Sequence, residues 1–197
     1  NLPDGKMTYE WLVDALQAEK DTARSLKVLA EGLQKYPTDQ YMISKQVNYY
    51  IQHGKRAEAI SYLDNAIAAN PTKPEYYNVK AGLYLMDKNY DEALKLYEKS
   101  QSIASNVEAV EGIGVVYAAQ GVAEDGKADN IKSDAEWKKA RAKAETIYKK
   151  AEGYLEQAKE MYGENYNSDN LYWLGIVYNR LREGEKYKAI QKIKNSL

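Results

Sequence analysis

The chain has 197 residues carrying 28 basic and 29 acidic side chains, a net charge of −1, so it lacks the cationic excess that holds proteins on nucleic acid. Cysteine is absent and His53 is the only histidine. Their scarcity removes disulfides, thiol nucleophiles and thiolate metal sites, and routes any Ser-His-Asp arrangement through one residue.

No run of 18 apolar residues occurs, so no segment reads as a transmembrane helix. The chain opens at Asn1 with neither methionine nor signal peptide, and the expectation is a processed or trimmed form. From Lys6, Tyr9, Val13, Leu16, Ser25, Leu29 and Gly32 recur at helical spacing and end at Pro37. From Gln40 the same beat gives Ile43, Val47, Tyr50, Ala59, Leu63, Ala66 and Pro71, and from Pro74 it gives Tyr77, Ala81, Tyr84, Tyr90, Ala93, Tyr97 and Ser100. A fourth segment opens with Val110, Ile113, Gly114 and Tyr117, and a fifth with Leu171, Leu174, Gly175 and Tyr178.

Pro37 and Pro71 stand 34 residues apart, as do Ala59 and Ala93, and Leu63 and Tyr97. That period and its alternation of small and bulky residues resemble the tetratricopeptide repeat. The resemblance implies an all-α solenoid of about five antiparallel helix pairs. It reads as one superhelical domain over residues 1–197, with repeats at about 6–39, 40–73, 74–106, 107–167 and 168–197. Small residues let helix axes approach, and bulky ones fill the space between at roughly 1.5–3 kcal/mol each when fully buried. Proline ends the second helix of a pair, and Pro74 suits a first helical turn because its missing N–H is not needed there.

The fourth segment breaks the period. From Gly121, where its first helix should end, to Ala151 there are about 25 residues more than the repeat allows, an insert placed at 122–146. Ser133-x-x-Glu136 reads as a capping box, and Trp137, Ala140, Ala144, Ile147, Ala151, Tyr154 and Ala158 read as one apolar stripe reaching about Met161. The first helix is expected to continue two or three turns past Gly121, with a turn near Asp129 to Lys132. Gly121 and Gly126 each cost that helix roughly 1 kcal/mol against alanine. An elongated helical hairpin is the expectation.

The stretch KADNIKSDAEWKKARAKAETIYKKAEGYLEQAKEMYG and the terminal YNRLREGEKYKAIQKIKNSL resemble the C-terminal part of exported tetratricopeptide proteins of Bacteroidetes, over about Asn106 to Leu197. The resemblance implies an extracytoplasmic protein, periplasmic or outer-membrane-associated. It transfers no activity and no binding residues.

Tetratricopeptide repeats line a concave face with their first helices. The corresponding positions here include Tyr41, Ser44 and Asn48 in the second repeat, Asn78, Leu85 and Met86 in the third, Glu111 and Val115 in the fourth, and Tyr172, Ile176, Asn179 and Arg180 in the fifth. Ala118 occupies another such position. The strip is polar at one end and apolar in its middle, which suits an extended or helical peptide. The opposing reading is that neighbouring helices bury the strip.

A protein or peptide partner is therefore expected, with no cofactor, no metal, no nucleic acid and no catalytic role. A glycan-binding module using Tyr41 and Tyr172 as stacking platforms is the alternative, and self-assembly through the fifth pair is another. The Lys-Arg-Asn clamp of chaperone-binding relatives is missing at Glu10, Asp14, Ser44, Asn48, Lys45 and Val79. Asp87-x-Asn89-x-Asp91 with Glu98 imitates a calcium loop but has Glu92 where glycine is required. The basic run Lys138 to Lys150 reads as a solvated helix face.

Overall fold

The computed structural model describes residues 5–165 and 167–196, so the chain ends at Asn1 and Leu197 lie outside the described residues. Among those described there are ten helices and no strand: α1 Lys6–Ala18, α2 Thr22–Lys35, α3 Gln40–Gln52, α4 Arg56–Ala69, α5 Pro74–Met86, α6 Tyr90–Ile103, α7 Val107–Ala128, α8 Asp134–Tyr162, α9 Ser168–Leu181 and α10 Gly184–Lys194. No described helix is long and apolar enough to cross a membrane. Contacts divide the chain into two compact units, Asn1–Tyr76 and Tyr77–Leu197, with the division inside α5.

Four first helices end in the same way. Lys20, Gly54, Lys88 and Arg182 take φ of +60°, +69°, +59° and +62°. In each turn the next N–H reaches back to a carbonyl five residues earlier: Asp21 to Leu16 at 2.9 Å, Lys55 to Tyr50 at 2.7 Å, Asn89 to Tyr84 at 2.8 Å and Glu183 to Tyr178 at 2.9 Å. Each bond satisfies a carbonyl that the helix end leaves open. Helix starts are capped by side chains: Asp39 accepts from the Met42 N–H at 2.9 Å and Asn106 from that of Ala109 at 2.8 Å.

In the first unit Tyr9, Val13, Leu29 and Met42 form the shared core of α1, α2 and α3. Gly32 lies beneath Met42, whose Sδ would stand 2.6 Å from an added Cβ. In the second unit Ala81, Ala93, Tyr97, Ala109, Ile113 and Val116 join α5, α6 and α7. A second cluster joins α7, α8, α9 and α10 through Ala118, Tyr148, Leu155, Leu174, Tyr178 and Ile190.

The fourth pair is the long one. Gly121 occupies the place where the other first helices turn, yet α7 runs straight through it to Ala128. The glycine is used for proximity rather than for a left-handed turn: a Cβ there would lie 2.6 Å from Tyr148 Cε1, and one at Gly114 would lie 2.7 Å from Leu155 Cγ. Gly114 and Gly121 are seven residues apart on α7, and Leu155 and Tyr148 are seven apart on α8. Small residues on one helix thus receive large ones from its antiparallel neighbour, at the period of a left-handed helix pair.

This geometry corrects the expected stripe on α8. Its buried row is Ala144, Tyr148, Ala151, Leu155 and Ala158. Ile147 and Tyr154 flank the row, and Trp137 is 39% exposed. Ala144, Ala151 and Ala158 of the expected stripe are buried, whereas Tyr148 and Leu155 replace Ile147 and Tyr154 as the large knobs, because the glycines of α7 select the side chains that fit. The N-terminus of α8 is capped by Ser133, whose hydroxyl accepts from the Glu136 N–H at 3.5 Å.

Candidate functional site

The expected groove residues fall into three environments. In the first unit, Ser44 and Asn48 are exposed on α3, whereas Tyr41 packs against the α1–α2 core. Lys45 stands 5.2 Å over the Tyr41 ring and donates to Asp14 Oδ1 at 2.7 Å and Gln17 Oε1 at 3.0 Å on α1. That ion pair holds the Asp14 carboxyl below, and the Lys45 ammonium above, their ordinary values, chiefly through the hydrogen bond between them. The nearest basic residue to a carboxylate clamp in this unit is thus already occupied.

In the second unit, Met86 at the end of α5 is 57% exposed and Tyr172 on α9 is 53% exposed. Leu85, Val115 and Ile176 are half-buried, with Leu85 against the α5–α7 core and Val115 against the α7–α10 core. Ala118 is fully buried and does not belong to an open face. The apolar middle is therefore partly covered by neighbouring helices. Tyr172 lies edge to Trp173, with centroids 5.6 Å apart, and Lys194 of α10 stands 5.6 Å from its ring.

The polar groove positions are tied to the protein itself. Asn78 donates to Asn106 Oδ1 at 2.9 Å. Glu111 Oε2 accepts from the Tyr162 hydroxyl at 2.6 Å and from Asn167 Nδ2 at 3.2 Å. Burial raises the Glu111 carboxyl, with Asp169 and Glu108 adding to the rise and the Tyr162 bond opposing it. The Tyr162 phenol is pushed up to about 12, by burial first and then by its bond to Glu111.

Arg180 has a different setting from the one expected. Its Nη1 lies 3.5 Å from Oδ2 of Asp125, a carboxylate on α7 that is 5% exposed. The same carboxylate is held by Arg141 and by the Tyr148 hydroxyl at 3.0 Å. The charged side chains of the run Lys138 to Lys150 are exposed, as expected of a solvated face, apart from Arg141, which converges with the buried Tyr148 on Asp125. The signal lay in spacing: Gly121 and Asp125 are four apart on α7, and Arg141 and Tyr148 seven apart on α8, so each pair shares one helix face.

His53 closes α3, with Nδ1 2.8 Å from the Tyr49 carbonyl and its ring 4.1 Å from that of Tyr49. Asn89 spends its side-chain oxygen on capping α6, accepting from the Glu92 N–H at 3.4 Å.

The chain is similar to known proteins in a part of its sequence and across its fold. A family model described as tetratricopeptide repeat matches residues 44–108. No curated protein matches the sequence. Among solved structures, MamA from Desulfovibrio magneticus RS-1 is similar at a TM-score of 0.65 and 14% identity, over 100% of this chain and 98% of that one. Pseudomonas aeruginosa pilF gives 0.63 at 12% identity, over 95% and 74%. A monomeric mutant of IFIT1 with Gppp-AAAA gives 0.67 at 19% identity, over 98% of this chain and 40% of that one. At these identities the likeness carries the fold, which is all-α and of tetratricopeptide type.

Proposed function

We propose that the protein is a non-catalytic interaction scaffold that binds a segment of a partner protein on the first-helix face of its second unit, along α5, α7 and α9. The observation that carries this reading is the exposure of Met86 and Tyr172. Large apolar side chains left in water are the informative exceptions on a protein surface. Asn179 is exposed on the same helix as Tyr172 and supplies amide donors and acceptors for a peptide backbone. Ser44 and Asn48 offer comparable polar groups on α3 of the first unit.

The test is crosslinking and pull-down from the native host with the wild-type chain, Met86→Glu and Tyr172→Ala. A specific partner lost with either substitution supports the face; capture unchanged by both removes it. The resemblance of the fourth and fifth repeats to exported proteins supports placement in the cell envelope. Osmotic-shock fractionation that leaves the protein with cytosolic markers would remove that part.

One observation favours a glycan-binding reading instead. A cleft of about 590 Å³ in the first unit is lined by Tyr49, Tyr50 and Tyr62 with Gln34, Gln46 and Asn65, and no ionised side chain borders it. Aromatic rings beside carboxamides suit neutral sugars. A glycan array without hits, or hits unaffected by Tyr50→Ala, rejects this reading.

A further inference from the structure

Near the turn of the α7–α8 hairpin, beside the end of α9, lies a cavity of about 380 Å³. Its wall carries four cations, Lys138, Arg141, Arg180 and Arg182, and two carboxylates, Asp125 and Glu145. The lining thus has a net charge of +2 (four positive less two negative), on a chain whose total is −1. Lys138 also pairs with the exposed Asp134 at 2.7 Å, outside the wall.

Asp125 is nearly buried, while the Arg141 and Arg180 side chains are 30% and 45% exposed. A guanidinium presents five N–H groups in a planar fork, so engaging the inner carboxylate with one nitrogen fixes the fork without exhausting it. Arg141 is held further by Trp137, its guanidinium carbon lying 5.9 Å from the indole centroid. Arg182 adds its charge from the left-handed turn after α9, where its own N–H and that of Glu183 close the helix-end carbonyls.

We infer that this cavity is a binding site for a phosphate dianion, with Trp137 flanking whatever group the phosphate carries. A dianion matches the net charge of the lining, and arginine forks suit tetrahedral oxyanions. Asp125, on the inner wall, orients the two arginines. This site is independent of the first-helix face proposed above.

The experiment is isothermal titration calorimetry of the full chain with inorganic phosphate, phenyl phosphate and benzoate at low ionic strength. Phenyl phosphate is expected to bind most tightly, inorganic phosphate next and benzoate least. Arg141 and Arg180 hold Asp125, so their removal risks the fold. Arg182→Asn, which keeps a residue tolerant of positive φ, and Lys138→Ala avoid that risk. Their combination is expected to weaken phosphate binding by about tenfold or more. No heat from either phosphate at millimolar concentration, or affinity unchanged in the double variant, overturns the site. Benzoate binding as tightly as phenyl phosphate overturns the assignment to a dianion.

Discussion

Tyr148 donates its hydroxyl to Oδ2 of Asp125 at 3.0 Å, and both residues are buried. The bond joins the two limbs of the hairpin just beyond Gly121, where the other first helices turn. Because Asp125 is the desolvated member and Arg141 is not, the two sides of the ion pair differ in consequence. Arg141→Ala leaves a buried carboxylate short of a partner and is expected to destabilise by about 2–4 kcal/mol. Asp125→Ala frees arginines that water can reach and should cost less. Tyr148→Phe should cost about 1–2 kcal/mol. Urea unfolding of the three variants gives the order, and Asp125→Ala as the worst of them would contradict it.

Three glycines in helix interiors should respond in opposite directions to alanine. At Gly121 the added methyl meets the Tyr148 ring, so Gly121→Ala is expected to destabilise by about 1–3 kcal/mol. At Gly126 and Gly153 nothing lies within 4 Å of an added Cβ, and alanine there should stabilise by up to about 1 kcal/mol. Thermal melts of the single variants measure the contrast directly.

Glu111 predicts a slope of stability against pH. Its folded-state pKa is raised above the usual 4.5, so between those two values the folded chain holds more protons than the unfolded one. This group's contribution therefore falls as pH rises through that window and is flat above it. Glu111→Gln keeps an acceptor for Tyr162 and should remove the slope. Urea midpoints collected from pH 4 to 7 for both proteins test the difference.

Buried phenols act at the other end of the scale. Burial pushes Tyr62, Tyr97 and Tyr162 up to about 12, against 10 in the unfolded chain. Their neutral form is favoured by folding, so stability is lost progressively from about pH 10 to 12. Absorbance at 295 nm should show Tyr62, Tyr97 and Tyr162 ionising only with alkaline unfolding. A single transition near pH 10 with the helical signal intact would rule this out.

One lysine of the last helix gathers three carboxylates. Lys186 of α10 bonds Glu156 at 2.9 Å and Glu183 at 3.0 Å, also contacts Glu152, and stands 5.2 Å from the Tyr178 ring. Lys186→Met should leave the carboxylates of Glu152 and Glu183 facing each other with Lys149 as the remaining cation acting on Glu183. Amide exchange in 184–194 is expected to quicken while α7 and α8 remain protected.

The helix pairs were legible because small, bulky and turn residues recur on a 34-residue beat, as Ala59 and Ala93 or Leu63 and Tyr97 show. The hairpin's limbs were legible from Ser133-x-x-Glu136. The knobs on α8 were not, because Ile147 and Tyr148 differ by one position and both fit an apolar pattern. Only the partner helix, with Gly121 in place, decides which is buried. The contact of Arg180 with Asp125 is illegible for a related reason: its position belongs to the first-helix face, but its long side chain reaches across to α7.

The pairing of Gly114 with Leu155 and of Gly121 with Tyr148 also constrains how the hairpin can change length. One residue added to a single limb turns everything beyond it by about 100° and shifts it by about 1.5 Å, setting side chains against side chains where glycine had made room. Between the two pairs, insertions and deletions are therefore expected to be tolerated when both limbs change together by seven residues, whereas changes in the turn beyond Ala128 leave the pairs in register.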